Sequence, residues 1–409
     1  MFFPLFIQLF AVILGLAATI FVFIGLLLLR KKSDKQTRKH IDLGAVALVI
    51  AVLVFVLADV SYPINFAMPP TMHAMTHDGK PASLPFFSAL NFLFHENNIP
   101  RVQDIGRDPN DVPVPIGNRA PATIKISVTA KEVISEIAPG IFFNYWTYDG
   151  SVPGPMYRVL VGDTVELSLT NDQTSLHPHN IDLHAVTGPG GGAAVTNVEP
   201  GETKTFRWQA LNPGLYEYHC AMPNVSTHNS HGQYGLILVE PTGGLAPVDK
   251  EFYVMQGELY TRGEIGKKGL VVFNSKGLID GDPTYVTMNG RIENTPRMKA
   301  QVGDRVRMYV GNGGVNLVSS LHLIGEIFDV VYPEAAIGEG SAIYKNVQTT
   351  TVLPGGATIV EFTVNVPGKY LLVDHALARM NKGAWAVLEV TGPENPDIFT
   401  ALPSESSSE

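Results

Sequence analysis

His219 and Cys220 are neighbours, and their adjacency organises most of the chemistry this sequence offers. Side chains alternate across a β-strand, so two consecutive residues face opposite ways and one strand can serve two metal sites. The lone cysteine, as a thiolate, makes a trigonal set with the imidazoles of His179 and His228, which is the geometry of a one-electron copper centre. His219 and His184 form part of a second set. His375, at the equivalent place in the second half of the chain, supplies a third imidazole. Three imidazoles around a metal with an open fourth position suit catalysis rather than storage. The bonded His219-Cys220 pair gives a short covalent route between the two metals. His177 and His231 flank these ligands as near-misses.

The elements that must hold these side chains read as strands. From about Ala120 the sequence runs in short alternating stretches such as Thr123 to Val128 and Thr164 to Leu169, separated by Gly, Pro and Asn-Asp turns, the pattern of a β-sandwich. A second set begins near Glu251, with Arg305 to Val310 and Thr358 to Val364. Phrases recur in the same order in both halves. Val161-Gly162-Asp163 returns as Val302-Gly303-Asp304, and Pro213-Gly214-Leu215-Tyr216 before His219 returns as Pro367-Gly368-Lys369-Tyr370 before His375. Such repetition marks a duplicated domain.

Four phrases together, His179-Asn180-Ile181-Asp182-Leu183-His184, Tyr218-His219-Cys220-Ala221, Leu321-His322-Leu323-Ile324-Gly325 and Val373-Asp374-His375, resemble the copper-containing nitrite reductases, most closely their short-loop class, over roughly residues 120–400. The resemblance implies one type 1 and one type 2 copper per subunit, a homotrimer, and reduction of nitrite to nitric oxide. It implies that His184 and His219 bind the type 2 copper with His375 of an adjacent chain. Asp182 and His322 stand at the positions of the family's carboxylate and imidazole over that copper, where they would relay protons to the leaving oxygen. Ile324 would cap the substrate side and Thr350 would support His322. One position departs from the family. Aligning His228 and Gly235 puts Gln233 where the type 1 copper has an axial Met, and an amide oxygen there favours Cu(II) and lowers the reduction potential.

The expected fold is all-β, two tandem cupredoxin-like Greek-key β-sandwiches preceded by a two-helix transmembrane hairpin. Its parts are the hairpin at 1–60, a periplasmic connector at 61–118, cupredoxin domains at 119–243 and 244–396, and a flexible tail at 397–409. The hairpin rests on uncharged stretches from Phe2 to Leu29 and Leu43 to Leu57, each of which, extended to its polar flanks, approaches the ~20 residues a spanning helix needs. Arg30, Lys31, Lys32, Lys35, Arg38 and Lys39 lie between them, which puts that loop in the cytoplasm and the remainder in the periplasm. The location expected is therefore the bacterial inner membrane, multi-pass, in contact with membrane lipid. In the connector, Met68, Met72, Met75, His73 and His77 offer donors that suit Cu(I) and equally the composition of a Met-rich linker. Ser83 to His95 reads as a short interfacial helix. Net charge is -9 with no basic stripe outside residues 30–40, which excludes a nucleic-acid partner. The electron donor is a quinol or a periplasmic cytochrome or cupredoxin.

Two other functions fit part of the pattern. A multicopper oxidase would carry His-Cys-His where this strand reads His219-Cys220-Ala221, so the third imidazole is missing. A tethered cupredoxin that only carries electrons needs His179, Cys220 and His228, and leaves the second set without purpose.

Overall fold

Asp34 starts the long helix α1, Lys35–Ser61, by accepting the backbone N–H groups of Gln36 and Thr37 at 3.0 and 2.8 Å, which relieves donors that have no partner inside the helix. The structure, a computed structural model, describes residues 20, 22–31, 33–61, 92, 94–292 and 297–402. Residues 22–31 are also helical, and Arg30 pairs with Asp42 at 2.7 Å. Among the described residues no helix is long and apolar enough to cross a membrane, so the expected transmembrane hairpin is not supported. Helix α1 opens on the charged residues Lys35, Arg38, Lys39 and Asp42. The start of the Phe2 to Leu29 stretch, the Met68 to His77 run, most of Ser83 to His95 and the end of the tail lie outside the described residues. This helical segment and the β-rich chain from residue 92 onward are separate units.

The first half builds β1 (Thr123–Ala138), β2 (Ile141–Tyr148), β3 (Tyr157–Leu160), β4 (Thr164–Asn171), β5 (Asp182–Leu183), β6 (Thr203–Gln209), β7 (Gly214–His219) and β8 (Tyr234–Glu240). The second half builds β9 (Lys250–Leu259), β10 (Gly269–Leu270), β11 (Tyr285–Met288), β12 (Met298–Gln301), β13 (Arg305–Asn312), β14 (Ser319–Ile324), β15 (Phe328–Tyr332), β16 (Tyr344–Val347), β17 (Thr349–Val352), β18 (Gly356–Thr363), β19 (Gly368–Asp374) and β20 (Trp385–Thr391). These make mostly β, cupredoxin-like sheets. In the first half the orders are β10-β2-β1-β4-β6 and β3-β8-β7-β5; in the second, β11-β9-β13-β18-β15-β16 and β12-β20-β19-β14-β17.

Burial follows the alternation in the sequence. Along β4 every second residue is buried, and Val165, Leu167 and Leu169 enter the first core with Val128, Ile237 and Val239. Val306, Met308, Leu321, Leu323, Val360 and Phe362 make the second core. Each such side chain contributes about 1.5–3 kcal/mol on leaving water. A third cluster, with Val133, Tyr145, Leu236, Tyr253, Tyr309 and Ile359, joins the halves, and β10 extends the first-half sheet along β2. Buried Arg158 of β3 ties that junction, 2.8 Å from Glu251 of β9, and Arg307 holds the same Glu251 at 3.1 Å.

The repeated phrases make the same turns. Gly162 and Gly303 have φ of 89° and 96°, and Asp163 N and Asp304 N donate three residues back to Leu160 O and Gln301 O. The Asn that ends the following strand also repeats its bonds: Asn171 Nδ2 donates to Val198 O, and Asn312 Nδ2 to Val352 O, each at 3.1 Å.

Candidate metal centres

The end of β7 splits two sets of donors. Cys220, fully buried, converges with His179 and His228, their ligand atoms all within 4.8 Å of one another. Cys220 Sγ lies 3.3 Å from His228 Nδ1, and Gln233 Oε1 is 3.4 Å from that same nitrogen. Three loops deliver these groups. His179 sits before β5, fixed by reciprocal backbone hydrogen bonds with Val198. His228 lies on the short helix α2, Val225–Ser230, which Asn224 enters in the left-handed region at φ 67°. Gln233 precedes β8 and its carbonyl accepts Cys220 N at 3.1 Å. Asn180 ties the loops, its Oδ1 accepting Ala221 N at 2.7 Å and lying 3.5 Å from Cys220 Sγ.

On the opposite face, Asp182, His184 and His219 converge. The β5–β7 register sets Asp182 against His219, and His184 N donates to Glu217 O. The two imidazoles meet Nε2 to Nε2 at 3.1 Å. His219 Nδ1 donates to Cys220 O at 3.0 Å, which leaves its Nε2 a lone pair. Asp182 is half-buried beneath a turn at Pro189–Val195 in which Gly190, Gly191 and Gly192 all have positive φ. A Cβ on Gly191 would stand 1.8 Å from Asp182 Oδ1. The buried Glu217 carboxyl has no partner for either oxygen, and burial, with the charge of Asp182, pushes it well above the usual carboxylate range.

His322 and His375 form a third group, exposed or half-buried in the second half, with ring centroids 5.3 Å apart. His375 is not among the groups that converge on His184 and His219 within one chain. His322 Nδ1 donates to Gln348 O at 2.6 Å; its register partner is Thr349, so a backbone carbonyl supports it where Thr350 was expected to. Beside His375, buried Asp374 accepts Ser320 N, Ala376 N, Gln256 Nε2 and Arg379 Nη1.

The near-misses have a place too. Trp146 stacks on His231 with centroids 4.3 Å apart, packs at a tilt against His177 at 4.5 Å, and meets His228 edge-on at 4.5 Å. His231 Nδ1 donates to Thr227 O at 2.7 Å, and burial holds its imidazole down to about 3, so it stays neutral.

Comparison with known proteins settles the family. Copper-containing nitrite reductase of Neisseria meningitidis serogroup A is 49% identical over 76% of this chain and 80% of its own. That of Neisseria gonorrhoeae is 48% identical over 76% and 79%. The chain belongs to the copper-containing nitrite reductases. Among solved structures, copper nitrite reductase from Nitrosomonas europaea is 31% identical, with a TM-score of 0.59, covering 67% of this chain and 96% of that one. A family model described as multicopper oxidase matches residues 135–244.

Copper is the metal this nitrite reductase family implies, and the donors suit it. His179 has both ring nitrogens buried without a hydrogen-bond partner, and Gln233, wholly buried, turns its amide oxygen toward His228 and leaves Nε2 unpaired. Burial pushes the Cys220 thiol up to about 12, so a thiolate here requires a cation beside it. Burial also lowers the pKa of His179 and His228, which keeps both imidazoles neutral and able to ligate.

Proposed function

We propose that the chain reduces nitrite by one electron to nitric oxide and water, with a type 1 copper on His179, Cys220, His228 and Gln233, and a type 2 copper on His184, His219 and His375 of the partner subunit in a homotrimer. One observation carries this reading: Cys220 is turned into one donor set while its neighbour His219 is turned against His184. Copper bound there would supply a one-electron store at the first set and an open Lewis-acid position for nitrite at the second. The His219–Cys220 bond, with the hydrogen bond from His219 Nδ1 to Cys220 O, links the two sets directly.

Converting nitrite to nitric oxide and water takes one electron and two protons. Asp182, half-buried beside His184 and His219, hands one proton to the departing oxygen. His322 serves the other. Its Nδ1–H is committed to Gln348 O, which leaves Nε2 to exchange protons, and its place next to His375 means the two arrive together from one subunit. Ile324, exposed on the same strand, covers the substrate side.

The electron comes from a reduced carrier, a quinol or a periplasmic cytochrome or cupredoxin. A membrane tether at residues 1–60, with the β domains in the periplasm, rests on the apolar N-terminal sequence alone. Copper-loaded protein supplied with a reduced dye and no oxygen is expected to form nitric oxide from nitrite. Cys220→Ser is expected to lose the visible colour and that activity while keeping copper at the second set. A wild type fully loaded at both sets that forms no nitric oxide would overturn the proposal.

A further inference from the structure

Around the first donor set lies a ring of polar groups that nitrite reduction leaves unused, and Glu132 is its hub. Glu132 projects from β1 and is completely buried. Its Oε1 accepts Leu176 N at 2.8 Å, His177 N at 2.8 Å and His177 Nδ1 at 2.9 Å, and lies 3.6 Å from His179 Nε2. Three N–H donors on one oxygen mark an ionised carboxylate held in place. Its Oε2 has no partner.

His179 needs what Glu132 offers. A ligand imidazole gives one nitrogen to the metal, and its other N–H requires an acceptor that fixes the ring and its tautomer. Neither nitrogen of His179 has a hydrogen-bond partner, and Nε2 is the one beside Glu132, which leaves Nδ1 for the copper.

We propose that Glu132 is a positioning residue of the first copper centre, holding His179 through Nε2 so that Nδ1 is the ligand atom, and lowering the reduction potential by placing a fixed negative charge just outside the ligands. The inference rests on the reading that His179, Cys220 and His228 bind copper. A charge on that side stabilises Cu(II) over Cu(I), in the same direction as the amide oxygen of Gln233.

The test is a redox titration of the Cys220-dependent visible band in copper-loaded wild type, Glu132→Gln and Glu132→Asp. Glu132→Gln keeps the side-chain oxygen for Leu176 and His177 and removes the charge, so its potential is expected to rise. Glu132→Asp keeps the charge and withdraws it from His179, so its potential is expected to move less while copper affinity, measured by competition with a chelator, falls about tenfold to a hundredfold. If Glu132→Gln does not fold, Glu132→Asp decides: wild-type affinity for copper overturns the proposal. A folded, coloured Glu132→Gln with the wild-type potential overturns it as well. A wild type that binds copper without visible colour instead refutes the underlying copper assignment.

Discussion

Gly191→Ala displaces the Asp182 carboxylate further than any other group at the second site. Gly191 has φ 54° and ψ 17°, a left-handed conformation that costs an alanine about 1–2 kcal/mol. The larger effect is contact. The added Cβ would stand 1.8 Å from Asp182 Oδ1 and 2.8 Å from Leu183 O, so the flexible carboxylate must move furthest and the Leu183 carbonyl must also give by a few tenths of an ångström. Restoring van der Waals distance moves that oxygen by roughly 1.5 Å, and a misplacement of about 1 Å at a reacting group can cost about 10²-fold in rate. That corresponds to about 2.7 kcal/mol of activation free energy. The control is next door. Gly190 has φ 60°, but a Cβ there meets only Ala193 Cβ at 3.5 Å and Ala194 Cβ at 4.0 Å. Both variants are expected to lose about 1–2 kcal/mol of stability to the backbone conformation. Only Gly191→Ala is expected to lose about 10²-fold in kcat for nitric oxide formation, with copper content and colour unchanged. Equal kcat in the two variants would show that the carboxylate's position has no part in the reaction.

Gln233→Met is expected to raise the reduction potential of the coloured copper, read by redox titration, because a thioether stabilises Cu(I) relative to an amide oxygen; an unchanged potential removes Gln233 from the ligands. Glu326, pushed up from 4.5 to about 7 by burial and by Asp329, makes stability fall with pH. The unfolded chain releases this proton near pH 4.5 while the fold keeps it, so stability is lost between about pH 4.5 and 7. Thermal melts of Glu326→Gln should therefore exceed wild type at pH 8 and match it more closely at pH 5. Asp163, fully buried, accepts two hydrogen bonds from Arg119 and one each from Ala122 N and Leu160 N, whereas its counterpart Asp304 is half-buried and accepts Gln301 N. Denaturant melts should show Asp163→Ala losing about 1.5–3 kcal/mol and Asp304→Ala about 1 kcal/mol.

The convergence of His179, Cys220 and His228, and of His184 with His219, was legible because the chemistry is carried by residue type and order: a lone cysteine bonded to a histidine, and histidines at matching places in duplicated strands. Strands were legible where one face is buried, as in β4, whose burial alternates with its sequence. Glu132 was not legible. It sits 47 residues before His179 on a strand whose other residues serve a core, and only the folded loop brings the two together. Asn180 and Asp374 stood inside the recognised phrases, yet their roles depend on backbone N–H groups from Ala221 and Ser320, which have no signature in sequence. The same holds for Gln348, whose carbonyl takes the hydrogen bond of His322. Gly191 reads as turn composition, and its function as a spacer against Asp182 emerges from the distance alone. At the N-terminus apolar composition suggested spanning helices, and no described helix meets the length and apolarity required.

Whether the second copper site is assembled from two chains can be measured by complementation. His184→Ala and His375→Ala proteins, each alone, leave every shared site lacking one ligand. Denatured together, reassembled and loaded with copper, they should regain complete sites at about one in four by random assembly if, as proposed, His184 and His219 of one subunit bind copper with His375 of its neighbour. Nitric oxide formation from nitrite is expected to appear in the mixture and in neither parent. A mixture as inactive as its parents, in trimers shown to have exchanged subunits, would place all three imidazoles within a single chain and contradict the shared site.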